Sequence, residues 1–153
     1  YSKKYQATRL TYKDVVVCKS WENFQNFASW FYEDSNYTKG FHLDKDILVL
    51  NNKVYSPETC CFVPSRINNL ILQSTKSRGI CKLGVTYDRC VGKYMAQVHD
   101  GDIRKTIGHY VNEEDAFTAY KDKKISIIKK VIEEYKDILP NRVLTALSQF
   151  EIN

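Results

Sequence analysis

The stretch from Gly84 to Tyr120 constrains the fold more than any other part of this sequence. Its first half contains three short runs in which apolar and polar residues alternate: Gly84–Arg89, Lys93–His99 and Ile103–His109. Alternation with a period of two is typical of β-strands. Asp100-Gly101-Asp102, between the last two runs, is a hairpin signal. We therefore predict a three-stranded antiparallel sheet.

A helix is predicted to follow the sheet, because the apolar period changes to about 3.6 residues after Tyr110. Asn112 can cap its first turn, with Asp115 in the position of a capping-box acid. One helix covers only one face of such a sheet, so the other face is left for solvent or a partner. The apolar face of the helix is predicted to contain Ala116, Ala119, Tyr120, Ile127 and Val131.

The uncovered sheet face is predicted to be polar and basic. Cations neutralise phosphates and planar polar side chains contact base edges. The composition therefore fits a nucleic-acid surface and a solvated face equally well. The residues concerned are Tyr87, Arg89, Lys93, Gln97, His99, Arg104 and Thr106, with Lys105 nearby.

The spacing of this stretch resembles the plant APETALA2 (ethylene-response-factor) DNA-binding domain, a type also found in phage proteins and homing endonucleases. The resemblance rests on GV, GKYMAQV, IG-Y and EE-A--AY, which fall in register. It implies that the sheet enters the major groove of double-stranded DNA. Arg104 then stands at a DNA-contacting arginine, and Tyr94 replaces the usual tryptophan of the second strand. The family's glutamate, arginine and tryptophan are replaced by Gln97, His99 and Thr106.

Charge and cysteine content exclude several classes of protein. A formal net charge of +5 over 153 residues is small for a general nucleic-acid coat, so DNA contact must come from a local patch. No apolar run approaches ~18 residues, so we predict neither a membrane span nor a signal peptide. We expect a reduced, cytoplasmic protein, and the phage resemblance implies a bacterial host cell. The five cysteines are Cys18, Cys60, Cys61, Cys81 and Cys90. Buried free thiols explain the first four better than a zinc site does.

Two apolar stripes and one basic stripe lie outside the sheet. The aromatic residues after Ser20 are spaced as on one helix face and could stack bases, but packing in a core explains them better. A basic stripe from Lys121 to Lys130, including Lys124, is predicted to face solvent. A last amphipathic helix is predicted after Pro140. The aromatic stripe contains Trp21, Phe24, Phe27, Ala28 and Phe31.

Residues 41–72 are predicted to form a strand, a turn at Asn51-Asn52, a second strand at 53–55 and a helix starting at Pro57 or Pro64. This is the order of the ββα finger of metal-dependent HNH nucleases. The segments WENFQNFASWF, LDKDIL and YSPETCCFVPSRIN resemble the N-terminal region of phage HNH-type homing endonucleases. Many of those proteins carry an APETALA2-like domain behind it.

Together the two resemblances predict an α+β protein with two modules. Residues 1–76 are expected to form the HNH-like ββα module. Residues 77–153 are expected to form the APETALA2-like sheet and helix, followed by a C-terminal helix. The joint is predicted at Ser77-Arg78-Gly79, which is polar and contains a glycine.

The HNH resemblance also implies catalytic positions, and these are altered. Asp44 matches the acid of the finger, but Lys45 replaces the histidine that activates water. Asn68 matches the final metal ligand, and the central asparagine falls near Val54–Tyr55. Lysine, with an ordinary pKa near 10.4, cannot accept a proton from water at neutral pH.

His42 precedes Asp44 on the same strand face and is either a substitute base or an ordinary strand-edge histidine. If the protein cuts DNA, one Mg²⁺ or another divalent cation is expected between Asp44 or Asp46 and Asn68. We expect a double-stranded DNA-binding protein of the homing-endonuclease type with weak or absent cleavage. The alternative is a catalytically dead, nuclease-derived regulator of DNA or an inhibitor of a host protein, which Lys45 favours.

Overall fold

The computed structural model of the protein describes residues 14–71 and 80–152, and the fold is mixed α and β, as predicted. A 3₁₀ turn at Lys19–Glu22 precedes the first helix, and a π-helical turn at Trp30–Asp34 extends it. In chain order the strands are β1 (Val16–Val17), β2 (Phe41–Asp44), β3 (Val54–Tyr55), β4 (Cys61–Pro64), β5 (Val85–Asp88), β6 (Lys93–His99) and β7 (Arg104–Tyr110). The helices are α1 (Phe24–Ser29), α2 (Ser65–Ile71), α3 (Glu113–Tyr135) and α4 (Asn141–Ser148).

The chain divides into two compact units. The first contains the described residues up to Pro64 together with Leu139–Ala146, and the second contains those of Ser65–Ile138 together with the residues from Leu147 onward. The chain therefore leaves the first unit and later returns to it. The predicted module boundary between residues 76 and 77, and the joint at Ser77-Arg78-Gly79, lie outside the described residues.

The first unit contains two small sheets rather than the predicted hairpin of 41–50 with 53–55. β2 pairs antiparallel with β4, and β3 pairs parallel with β1. The sequence prediction placed Cys61–Pro64 at the approach to a helix, but these residues form a strand. All four are buried, so the run shows no alternation that would identify it as a strand.

An aromatic cluster forms the core of the first unit. Trp21 and Trp30 lie 4.5 Å apart between ring centroids, and Trp30 stacks on Phe62 at 5.8 Å. The prediction that the aromatic stripe packs in a core is confirmed for Trp21, whereas Phe24 is 68% exposed. The helix also begins later than predicted, since Asn23 rather than Ser20 caps α1 by accepting a hydrogen bond from the backbone N–H of Gln25.

Two side chains from distant parts of the chain hold β4 in the first unit. The Asn36 amide both donates to the carbonyl oxygen of Phe62 (2.5 Å) and accepts from its N–H (3.0 Å). Arg142 on α4 donates to the carbonyl oxygen of Cys60 at 3.2 Å. Cys60 and Cys61 are buried free thiols, as predicted.

The second unit contains the predicted three-stranded antiparallel sheet in the order β5-β6-β7. The helix α3 follows it, and the predicted cap is present: Asn112 Oδ1 accepts from the N–H of Asp115 at 2.9 Å. Val85 and Ala96 of the sheet pack with Ala116 of α3 in a buried cluster. One face of the sheet is therefore covered by the helix.

The short helix α2 is held in the second unit by polar contacts. Arg66 donates to both carboxylate oxygens of Glu134 at 2.8 and 2.7 Å. Asn69 donates to the carbonyl oxygen of Gly101 in the β6–β7 turn at 3.3 Å. Lys124 donates to the carbonyl oxygen of Leu70. These contacts place the helix expected for the ββα finger with the second unit.

The prediction that Lys124 faces solvent is wrong. Only 4% of this residue is exposed. It occupies the same helical face as Ala116 and Tyr120, at the spacing of one apolar stripe. Its spacing from Ala116 and Tyr120 was the sequence signal for burial, but the prediction followed the basic residue type instead.

In the described part of the chain, no helix is both long and apolar enough to cross a membrane.

Candidate nucleic-acid interface

The strand register defines which side chains lie on the sheet face opposite α3. Val85, Ala96 and Val98 are buried on the helix side. Residues that are directly paired share a face, and successive residues alternate between faces. The opposite face, which we call the open face, carries Thr86, Asp88, Lys93, Met95, Gln97, His99, Arg104, Thr106 and His109.

Five of the predicted DNA-binding residues lie on this open face. Lys93, Arg104 and Thr106 are exposed, and Gln97 and His99 are half-buried. The pairs Gln97–Thr106 and His99–Arg104 lie side by side on β6 and β7. The structure therefore places Arg104 beside an imidazole and next to a paired amide and hydroxyl, with Lys93 at the opposite end of β6.

The two cations of the open face are available to a ligand. Among the described residues, neither Lys93 nor Arg104 forms an ion pair, although Asp88 lies directly opposite Lys93 on the same face. Lys105 differs, because its ammonium lies 2.6 Å from the Asp100 carboxylate. The backbone N–H of Ile103, followed by the Lys105 ammonium and the N–H of Asp102, holds the pKa of Asp100 well below its usual range.

The other four predicted residues lie elsewhere. Tyr87 pairs with Tyr94 on the helix side, where their rings meet edge to face at 5.1 Å. Lys105 pairs with the buried Val98 and so also belongs to the helix side. Arg89 lies exposed in the turn between β5 and β6. Tyr87 was expected on the open face, but alternation from the buried Val85 places it on the covered one.

Four residues of the open face escaped the sequence prediction, namely Thr86, Asp88, Met95 and His109. Counting by two from Val85 would have found Thr86 and Asp88, and the same count on β6 includes Met95. His109 could not be found in this way. A bulge opposite Ala96 and Gln97 inserts Ile107, so the alternation of β7 shifts by one residue after Thr106.

Two polar contacts organise the edges of the open face. His109 Nε2 lies 3.3 Å from Asp88 Oδ2. Hydrogen bonds from the backbone N–H groups of Val91 and Cys90 and from His109 lower the pKa of Asp88. At the other end, His99 Nδ1 accepts the N–H of Gly101 at 3.1 Å. This contact assigns the ring proton of a neutral His99 to Nε2, which leaves a donor for a ligand.

The predicted catalytic residues of the first unit lie at the end of β2 and in the loop after it. His42 and Asp44 share one strand face, opposite Val63 and Cys61. His42 is exposed, whereas Asp44 is partly buried. Burial raises the pKa of Asp44 and outweighs the hydrogen bonds from Ile47 and Asp46 that lower it.

Lys45 is fixed by its own loop. Its ammonium lies 2.7 Å from both carboxylate oxygens of Asp46 and donates to the carbonyl oxygen of Asn52 at 2.7 Å. Three oxygens thus surround the three donors of the ammonium group, which has no acceptor. Lys45 has the role of an internal cation and not of a base.

Asn52 ties together the backbone on both sides of this loop. Its Nδ2 donates to the carbonyl oxygens of Lys45 (3.0 Å) and Val54 (2.5 Å), and its Oδ1 accepts the N–H of Val54 (3.0 Å). Val54 and Tyr55 themselves form β3. The expected position of the central asparagine is thus occupied by strand residues, and Asn52 lies two residues before it.

Two of the predicted metal ligands, Asp44 and Asp46, have polar partners within their own loop. Both oxygens of Asp46 contact Lys45, and Asp44 Oδ1 accepts the N–H groups of Asp46 and Ile47, each at 2.7 Å. Asn68 lies in α2, which belongs to the second unit. Among the described residues, no group of three or more His, Cys, Asp or Glu side chains is arranged to hold a metal ion.

No family model, curated protein or solved structure matches this chain.

Proposed function

We propose that the protein binds double-stranded DNA through the open face of the β5-β6-β7 sheet. The observation that carries the proposal is the position of Arg104, which forms no ion pair among the described residues, beside His99 and next to the Gln97–Thr106 pair on the open face. Lys93 lies on the same face at the other end of β6. Cations supply affinity for phosphates, and planar groups contact base edges in the major groove. The resemblance of this stretch to APETALA2 domains points to the same surface.

Salt-dependent binding to a mixed-sequence duplex tests this proposal. Lys93→Ala and Arg104→Ala should each weaken binding and reduce the slope of log affinity against log salt by about one. Fluorescence anisotropy between about 50 and about 200 mM salt measures both quantities. Lys123→Ala is the matched control, because it removes an equal charge from an exposed position on α3.

Two results would contradict the proposal. Affinity that does not change with salt would exclude a phosphate-binding surface. Equal losses from Lys123→Ala and Arg104→Ala would show that net charge acts and that the open face does not.

The first unit is proposed to act without metal-dependent cleavage. Its acid, Asp44, is retained, but Lys45 occupies the oxygens of Asp46 and has no lone pair to accept a proton from water. This arrangement favours a DNA-binding regulator derived from a nuclease over an active nuclease.

A cleavage assay with Mg²⁺ or Mn²⁺ on plasmid and phage DNA tests this part. The unmodified protein should retain DNA binding and cut weakly or not at all. If weak cutting is found, His42→Ala should abolish it and Lys45→Ala should not. Strong metal-dependent cutting that survives His42→Ala would overturn both the inactive loop and the role given to His42.

A further inference from the structure

Gln97 occupies the centre of the open face. It lies on β6, the middle strand of the sheet, and pairs with Thr106 on β7. Its neighbours on the same face along β6 are Met95 and His99. A base pair that meets the middle of this face would therefore meet Gln97 first.

One N–H of the Gln97 amide is held by the Thr106 hydroxyl. Gln97 Nε2 donates to Thr106 Oγ1 at 3.2 Å. A primary amide has two N–H donors and one carbonyl acceptor. The second N–H and the carbonyl oxygen of Gln97 have no partner among the described residues. The second N–H donor and the carbonyl acceptor, which lie on the same amide group, are thus left for a ligand. The hydrogen bond to Thr106 restrains rotation of this amide.

We infer that Gln97, oriented by Thr106, recognises the adenine of an A·T pair in the major groove. The inference rests on the proposed DNA-binding function of the open face. Adenine presents an acceptor at N7 and a donor at N6, which match the free N–H and carbonyl oxygen of Gln97. Guanine presents two acceptors and leaves the Gln97 carbonyl oxygen unsatisfied. Cytosine presents only a donor.

Met95 complements the same base pair. Thymine carries a C5-methyl group in the major groove, and apolar side chains contact it. Met95 lies two residues from Gln97 on the same face and is half-buried. An amide and a thioether side by side therefore match the two halves of an A·T pair better than those of a G·C pair.

Selection of bound duplexes from a random pool tests the inference with the full chain. The unmodified protein should enrich sites with an A·T pair at one fixed position. Gln97→Glu, which has only acceptors, should shift that position towards C·G, because a carboxylate accepts from cytosine N4. Thr106→Val removes the acceptor for the Gln97 amide and should weaken the preference for A·T. Gln25→Glu is the control, since it makes the same chemical change at an exposed position of α1.

A single modified base sharpens the test. Replacing the selected adenine by 7-deazaadenine removes the N7 acceptor and should weaken binding by roughly 5- to 150-fold. The affinity of the Gln97→Glu variant for the duplex should not change when the modified base is introduced.

The outcomes separate the inference from the proposed function. Salt-dependent binding with no A·T preference overturns the role of Gln97 and leaves DNA binding intact. An A·T preference that persists in Gln97→Glu also overturns it. If no duplex binds at any salt concentration, the proposed function fails, and the inference fails with it.

Discussion

A single buried amine shows how much one residue can alter the stability of the second unit. Lys124 is almost fully buried and donates to the carbonyl oxygen of Leu70. Burial lowers its pKa from 10.5 to about 8. Water stabilises the charged form in the unfolded chain, so the folded state disfavours the proton that Lys124 carries at neutral pH.

We predict that Lys124 makes the protein more stable as the pH rises above about 8. Because the folded-state pKa is the lower one, the folded state releases this proton first, and the free energy of unfolding increases between the two pKa values by up to about 3 kcal/mol. Urea unfolding of the unmodified protein and of Lys124→Met at about pH 7 and about pH 10 measures the difference.

The buried thiols of Cys60 and Cys61 change the stability in the opposite direction at high pH, so the unmodified protein must be compared with Lys124→Met. Burial raises the pKa of Cys60 to about 11 and of Cys61 to about 12, so the unfolded thiols ionise first and stability falls above about pH 9. The unmodified protein and Lys124→Met both lose stability through the thiols. Only the unmodified protein also gains stability through the lysine. Parallel pH profiles would show that Lys124 is not buried in solution.

At the scale of elements, local signals predicted the second unit well. The alternation from Lys93 to His99 gives the bounds of β6, and Asn112 gives the start of α3. The Asp100-Gly101-Asp102 turn is present, with Gly101 at φ 102°, where a residue other than glycine is strained. These features depend on neighbours in the chain, which a sequence displays directly.

The features that the sequence did not predict depend on contacts between residues that are distant in the chain. Nothing near Cys61–Pro64 indicates that β2 will pair with it, and the bulge at Ile107 is a property of two strands together. The candidate functional residues show the same division between local and distant signals. Gln97 and Arg104 follow from alternation, but the Thr106 contact, the position of Asn52 and the clamp around Lys45 arise only from folding.

The cap of α3 can be tested on its own. Asn112→Ala should reduce the free energy of unfolding by about 1 kcal/mol, because the N–H of Asp115 loses its acceptor. Asn112→Ser keeps a capping oxygen and should restore most of the stability. Denaturation followed by far-ultraviolet circular dichroism measures both. A serine variant as unstable as the alanine variant would show that the cap does not stabilise the helix.

At the scale of the whole molecule, the chain order of the two units is interleaved. The first unit includes Leu139–Ala146 from beyond α3. Val143 in this segment is fully buried, and Arg142 donates to the carbonyl oxygen of Cys60. The N-terminal half therefore depends on residues near the C-terminus.

Both tryptophans of the chain, Trp21 and Trp30, lie in the first unit and report on it. Truncation after Ile138 should expose them and shift their fluorescence towards the emission of tryptophan in water. Truncation after Phe150, which retains α4, should leave the emission unchanged. Identical spectra from both truncated proteins would show that the first unit folds without its returning segment.

The return of the chain has a genetic consequence. A stop codon after Ile138 leaves every residue of the N-terminal half intact in the message and retains the sheet and α3. The damage nevertheless falls on the first unit, because its packing is completed by a segment that is translated after α3. Nonsense alleles directly after Ile138 should therefore resemble missense alleles around Trp30. Exchange of the residues up to Pro64 between related genes should succeed only when Leu139–Ala146 is exchanged with them.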